Sequence, residues 1–204
     1  MNSAPLREAL ISEFVELEGI AAPDEKEVYA HFGLLMFHYS LLEHSLINAL
    51  MFERAIVEVK AKTVTTHEQW SIALDRHFDH SKAFTFGNLV KALVKYRDFQ
   101  PFEPDLSSIK KSRDYFAHHF FRDEIAYFGS DEGRWFLLEK MNEERLRVNR
   151  TEKALQPVSY ARLKRVGIPY PTEEVFNSEI ATAYVEAQAR VLDGKATVGW
   201  EANR

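Results

Sequence analysis

The chain has 204 residues, enough for one sizeable hydrophobic core, with 46% hydrophobic and 28% charged residues, the mix of an ordinary globular domain. It contains no cysteine, which removes disulfides, thiolate nucleophiles and cysteine-based zinc sites together. The formal charge of -5 at pH 7 argues against a general nucleic-acid coating protein, so any contact with RNA or DNA has to be local.

Proline and glycine are sparse and fall between periodic segments, so almost the whole chain reads as helix. A first short helix is expected over Pro5–Leu17, closed by Gly19 and Pro23. A single long helix follows, from Pro23 to Lys60, its start favoured by Asp24, Glu25 and Glu27. Phe32, Leu35, Tyr39, Leu42, Leu46 and Ala49 step by three and four, which makes one buried stripe. A third helix covers Glu68–Phe78. Thr85 then caps a short helix with Leu89, Leu93 and Tyr96 on its inner side, and Gly87 permits a close neighbour there.

Pro101 and Pro104 precede the next helix, which is expected to start at Asp105 or Ser107 and to run to about Ile125. YFGSDEGRW is the clearest break. It reads as a turn with helix resuming at Arg134, a short hairpin being the other option. Long helix is expected from Trp135 to Leu155, then from Ser159 to Arg165. A last helix starts at Thr172 and Glu173 and ends near Leu192. The sum is a single all-α domain over 1–204, an antiparallel helical bundle with two main hairpins. Its core spans 24–125, further helices over 134–192 complete or cover it, and 193–204 form a loose tail. Apolar runs such as FGLLMF are too short to span a bilayer. The start, MNSAPLREALISEF, lacks the basic and apolar regions of a signal peptide. A cytoplasmic protein without membrane contact is the expectation.

The chemistry concentrates in KKSRDYFAHHFFRD, Lys110–Asp123. On an ideal helix Leu106, Ile109, Phe116, Ala117 and Phe120 form an apolar stripe, with Arg113 in its middle. A guanidinium on a core face needs acceptors. Glu43, beside Leu42 and Leu46 on the long early helix, is a candidate, in either an architectural or a functional pair. His118 lies about 140° away from Arg113 around the helix, so the two do not share a face. Asp114, four residues earlier, is placed to orient His118 and raise its pKa, and a histidine near neutrality suits acid–base work. For Arg113 and His118 to act together, the helix has to bend between them or two chains have to share the site.

RDYFAH, Arg113–His118, resembles the R-x4-H motif of the HEPN domain superfamily, with Asp114 in the polar position after the arginine and the pair Ala117–His118 in the family's form. FGLLMFHYSLLEHSL resembles the family's first core helix, and TFGNLVKAL resembles a short helix of related bacterial members; together the likeness covers about residues 24–125. It implies a metal-independent endoribonuclease, without cofactor, leaving 2',3'-cyclic phosphate ends. His118 would be the base or acid and Arg113 the phosphate ligand, with Asp114, Glu43 and His119 in support. Lys110, Lys111, Tyr115 and Arg122 would be RNA contacts. It also implies a homodimer with a composite site, a toxin or anti-phage defence role, and an antitoxin partner such as an MNT nucleotidyltransferase. One departure stands out. Members paired with that antitoxin carry a modifiable tyrosine two residues after the histidine, where this chain has Phe120.

Three other readings compete. A HEPN-like module could bind RNA or protein as a dimer without cutting. A metal site could use His77 and His80 with Asp75, Asp79, His38 or Glu43, although the paired Glu-x-x-His pattern of di-iron bundles is missing and no metal is expected. The cations Arg145, Arg147, Arg150, Lys153, Arg162, Lys164 and Arg165 could contact RNA, or simply form a solvated helix face.

Overall fold

The computed structural model describes residues 4–168, 182, 184–190 and 192–193, and the chain divides into two units, Met1–Val166 and Gly167–Arg204. The protein is all-helical, with no strand among the described residues. The first unit holds α1 (Ala4–Glu13), α2 (Glu25–Lys60), α3 (His67–Lys82), α4 (Phe86–Leu93), α5 (Glu103–His118), α6 (Phe120–Asp123), α7 (Ile125–Phe128) and α8 (Asp131–Arg165). Two 3-10 turns, Val15–Leu17 and Arg97–Phe102, precede α2 and α5. In the second unit, residues 184–190 are helical; the expected helix start at Thr172 and the tail beyond residue 193 lie outside the described residues.

Local chemistry accounts for the helix ends. Asp24 accepts from the backbone N–H of Lys26 and Glu27 at 2.6 and 3.3 Å, and Glu27 reaches back to the Asp24 N–H at 2.6 Å, a capping box that fixes the start of α2. Thr66 and Gln69 form a second capping box at α3, and Thr85 caps α4. At Gly87 a side chain would meet Lys110 Cε at 2.8 Å, so the lysine stem of α5 rests over the glycine of α4.

Four expected boundaries are corrected. The helix through the motif starts at Glu103, because Pro104 falls in the first turn, where no backbone N–H is needed. It ends at His118. His119 leaves the helical region (φ -126°, ψ -29°), and the chain continues in two single turns to Phe128. Beyond the break Phe120 packs onto Phe32 and Phe116, with ring centroids 5.5 and 5.1 Å apart. Helix then resumes at Asp131 rather than Arg134, because Ser130 accepts from the Gly133 N–H at 3.1 Å. Gly133 sits in that first turn, where any side chain would collide with the carbonyl of Tyr127. Finally, α8 passes through Pro157 without a break. The proline ring is exposed, while Leu155, Ser159 and Leu163 stay buried on the other face, so packing offsets the lost backbone hydrogen bond.

The two longest helices run parallel. Tyr39 meets Glu144, Ser45 meets Glu152 and Glu53 meets Arg162, so residue numbers rise together along α2 and α8. Helix α3 runs antiparallel to α2, through His77–Glu58 and Arg54–Ser81. Helix α5 runs antiparallel to both long helices, through Arg113–Glu43 on one side and Ser112–Glu144 on the other. Leu35, Tyr39, Leu42, Leu46 and Leu50 of α2 share one core with Leu138, Met141, Val148 and Leu155 of α8. Phe32 of the expected stripe is half-buried; the other five are buried. Among the described residues no helix is long and apolar enough to cross a membrane.

The basic stretch on α8 is not one face. Arg145 is buried against Asn142 and Glu13, Arg147 holds Glu144, Arg162 grips both oxygens of Glu53 at 2.7 and 2.6 Å, and Arg165 pairs with Asp98. Arg150, Lys153 and Lys164 are exposed. Glu53 is 1% exposed, and a buried carboxylate stripped of its partner is costly. Arg162→Ala should therefore cost about 3 kcal/mol, whereas exposed Lys164→Ala should change stability by less than about 0.5 kcal/mol. Urea denaturation of the two variants checks this contrast.

Candidate functional site

Helix α5 lies in the groove between α2 and α8 and presents the motif residues on different flanks. Leu106, Ile109 and Phe116 are its buried stripe, and Phe120 of α6 continues the apolar face beyond the break. Ala117, expected in that stripe, is exposed, and Arg113 lies at the rim, half-buried rather than central. Glu43 is the partner expected for Arg113, and the Arg113 Nη2–Glu43 Oε2 distance is 3.8 Å. Asp114 Oδ1 lies 3.5 Å from Arg113 Nη1. Both distances exceed the roughly 2.7–3.2 Å of a good N–H···O bond. The guanidinium is thus held by two nearby carboxylates without strong hydrogen bonds to either.

Asp114 does not orient His118. It accepts from Lys110 Nζ at 2.6 Å, and that bond, reinforced by Arg113, holds its carboxyl below the usual range. A helix brings residue i+4 alongside i, but here the i-4 lysine takes the carboxylate first. His118 is exposed at the last position of α5, with its ring edge-on to His119 at 6.3 Å. Because α5 is unbroken from Glu103 to His118, no bend lies between Arg113 and His118; the break comes one residue later. One chain therefore does not bring the two together.

The supporting candidates divide. Arg122 lies 2.8 Å from His119 Nδ1 and donates to Asp123 at 2.8 Å. Tyr115 donates its hydroxyl to Glu124, and burial together with that carboxylate raises its pKa. Lys111 is exposed. Tyr115, Phe116, Phe120 and Phe136 line a cavity of about 420 Å³ with Arg147 and Arg150 on its wall, on a different flank of α5 from Arg113.

One cluster was not foreseen. Glu144 accepts from Tyr39 at 2.9 Å, from Ser112, and from Arg147 at 2.7 and 2.8 Å. It locks α2, α5 and α8 together at the level of the motif. A signal for it existed: a tyrosine in a leucine stripe needs a partner for its hydroxyl, and Ser108 and Ser112, one turn apart, mark a polar flank beside the apolar one.

No family model, curated protein or solved structure matches the chain. The site accordingly rests on its geometry and on the motif likeness.

Among the described residues no three His, Asp or Glu side chains are grouped to hold a metal. His77 turns instead to Glu58, with Nε2 3.0 Å from Oε1. The shifted histidines lie outside the motif. Desolvation holds His31, His38 and His77 below their ordinary value of 6.5, and the ring of His31 is packed edge-on to Phe14 at 4.5 Å. Below that value the unfolded chain takes up protons that the folded chain resists, so the stability contribution is complete above pH 6.5 and declines as pH falls towards the folded values. The melting temperature should accordingly drop between pH 7.5 and pH 5, and His31→Gln should flatten the drop. A wild-type melting temperature unchanged across that range contradicts the assignment.

Proposed function

We propose that the chain is a metal-independent endoribonuclease acting as a homodimer, with Arg113 and His118 drawn from different copies at each site. The observation that carries the reading is the state of Arg113. It is half-buried and pre-positioned, yet its nearest carboxylate oxygens lie at 3.5 and 3.8 Å. Such a guanidinium is ready to exchange loose carboxylate contacts for the oxygens of a phosphodiester.

The straightness of α5 supports the second copy, since His118 points away from Arg113 within one chain. An apolar surface is present for that copy to cover. Tyr29, Phe37 and Leu41 are exposed along α2, with Phe37 at 55%. Phe121 joins them past the end of α5, its ring 5.8 Å from Tyr29 and 4.6 Å from Phe32. In the proposed dimer this surface is the two-fold contact.

In the proposed reaction His118 takes the proton from a ribose 2'-OH. The 2' oxygen attacks the adjacent phosphorus, the bond to the 5' oxygen breaks as that oxygen takes a proton from water, and the products are a 2',3'-cyclic phosphate and a 5'-OH, with His118 left protonated until it returns its proton to solvent. Arg113 holds the charge that builds on the phosphoryl oxygens. The proposal extends to a restrained toxin or defence effector, for which an antitoxin partner is the corollary. A dimeric module that binds without cutting is the competing reading, and the absence of an orienting partner on His118 among the described residues favours it.

RNA digestion in EDTA separates the two. The wild type should cut and leave cyclic phosphate ends, while Arg113→Ala and His118→Ala should each slow cleavage by about 100-fold or more. Phe37→Glu should yield monomers in sedimentation and lose cleavage with them. A wild type that binds RNA and never cuts it supports the binding module instead.

A further inference from the structure

A second depression, an open groove of about 480 Å³, lies about three turns along α2 from Glu43. Arg54 and Val57 of α2 form one wall, Arg76, His77 and His80 of α3 the other, and Tyr96 closes an end. The volume falls within the roughly 300–1,000 Å³ typical of small-molecule sites.

The charges around it do not cancel. Glu58 is the carboxylate in the lining, and it is fully engaged: Arg76 Nη2 reaches both of its oxygens at 2.6 Å, and His77 Nε2 sits 3.0 Å from Oε1. Neighbouring Glu53 is held through both oxygens by Arg162, and Asp98 is paired with Arg165 and Arg162. Arg54 is thereby left with no carboxylate partner among the described residues. It donates from Nη1 to the buried Ser81 hydroxyl at 3.1 Å, and its guanidinium lies 5.2 Å over the Phe84 ring. Ring and hydroxyl fix its orientation, while most of its five N–H donors remain unused. A half-buried cation in that state calls for an anion.

The rest of the lining describes the anion. Val57, the Tyr96 ring and the exposed His80, itself edge-on to Phe84 at 5.2 Å, offer flat and apolar surface on which a ring could rest. The Tyr96 phenol is protonated near neutral pH, and burial raises its pKa further, so its hydroxyl is available as a donor. A bare phosphate would use Arg54 and Arg76 and leave this surface wet. We infer that the groove binds a nucleoside monophosphate, its phosphate on the Arg54 guanidinium with Arg76 beside it, and its base against Tyr96 and His80. The site is separate from the proposed cleavage site and does not depend on it.

Calorimetry on the full chain tests this with 5'-AMP, 5'-UMP, adenosine, ribose 5-phosphate and inorganic phosphate. At least one of the two nucleotides should bind at one per chain, more tightly than ribose 5-phosphate or phosphate, and adenosine should bind at least about tenfold more weakly than AMP. Arg54→Gln should weaken nucleotide binding by about tenfold or more. Val57→Trp, which fills the groove and leaves Arg54 in place, should abolish it, with melting curves showing both variants folded. If inorganic phosphate binds as tightly as the nucleotides, the base contact is wrong. Unchanged affinity in Arg54→Gln, or no nucleotide binding at millimolar concentration, overturns the proposal.

Discussion

The register between α2 and α8 governs the rest of the molecule. Two long helices running parallel need a return path between them, and residues 61–130 provide it. Buried polar groups set that register. Glu53, almost fully enclosed, has to meet Arg162, and the Tyr39 hydroxyl, inside a leucine stripe, has to meet Glu144. Sliding either helix by a residue would strand a carboxylate or a phenol in the core, at a cost of several kcal/mol for the charge. Apolar packing supplies the driving force, and these pairs select one arrangement from the many that leucine stripes allow.

The return path decides where the chemistry can lie. Helix α5 drops into the groove between the long helices, antiparallel to both, and Glu144 ties it there through Ser112. That contact turns one flank of α5 towards α8 and leaves Arg113 on the flank towards Glu43. The polar lock on one side and the loose guanidinium on the other are two consequences of one seating. His118, on the last turn before the chain breaks at His119, faces solvent because neither flank claims it. Any catalysis that uses both residues therefore draws on a surface beyond the single chain.

Much of the fold was legible because periodicity and caps speak locally. The α2 stripe, the acidic start at Asp24 and the Thr85 cap are properties of adjacent residues. The Arg113–Glu43 pair was legible for a different reason: a cation near an apolar stripe has few places to turn. The errors are tertiary. Pro157 looked like a break, yet α8 continues through it, with Leu155 and Ser159 buried on either side. Gly133 looked like a turn residue, yet it sits in the first turn of α8, capped by Ser130, and is glycine because the Tyr127 carbonyl leaves no room for a side chain. The helix past His118 looked continuous, yet Phe120 turns in to stack on Phe32. Asp114 was assigned to His118 by spacing alone, and spacing cannot rank it against Lys110. The basic stretch on α8 dissolved for the same reason, since Arg145, Arg162 and Arg165 turn to carboxylates on other elements and Arg147 to Glu144 on α8 itself.

The central claim is that Arg113 and His118 meet across two copies of the chain. Mixing Arg113→Ala with His118→Ala after joint refolding, and measuring RNA cleavage in EDTA, tests it most directly. With a composite site, each mixed dimer holds one intact site and one doubly damaged site. Half the dimers are mixed, so cleavage should recover to about a quarter of the wild-type rate. A mixture that forms dimers yet cuts no faster than either variant alone would contradict the account.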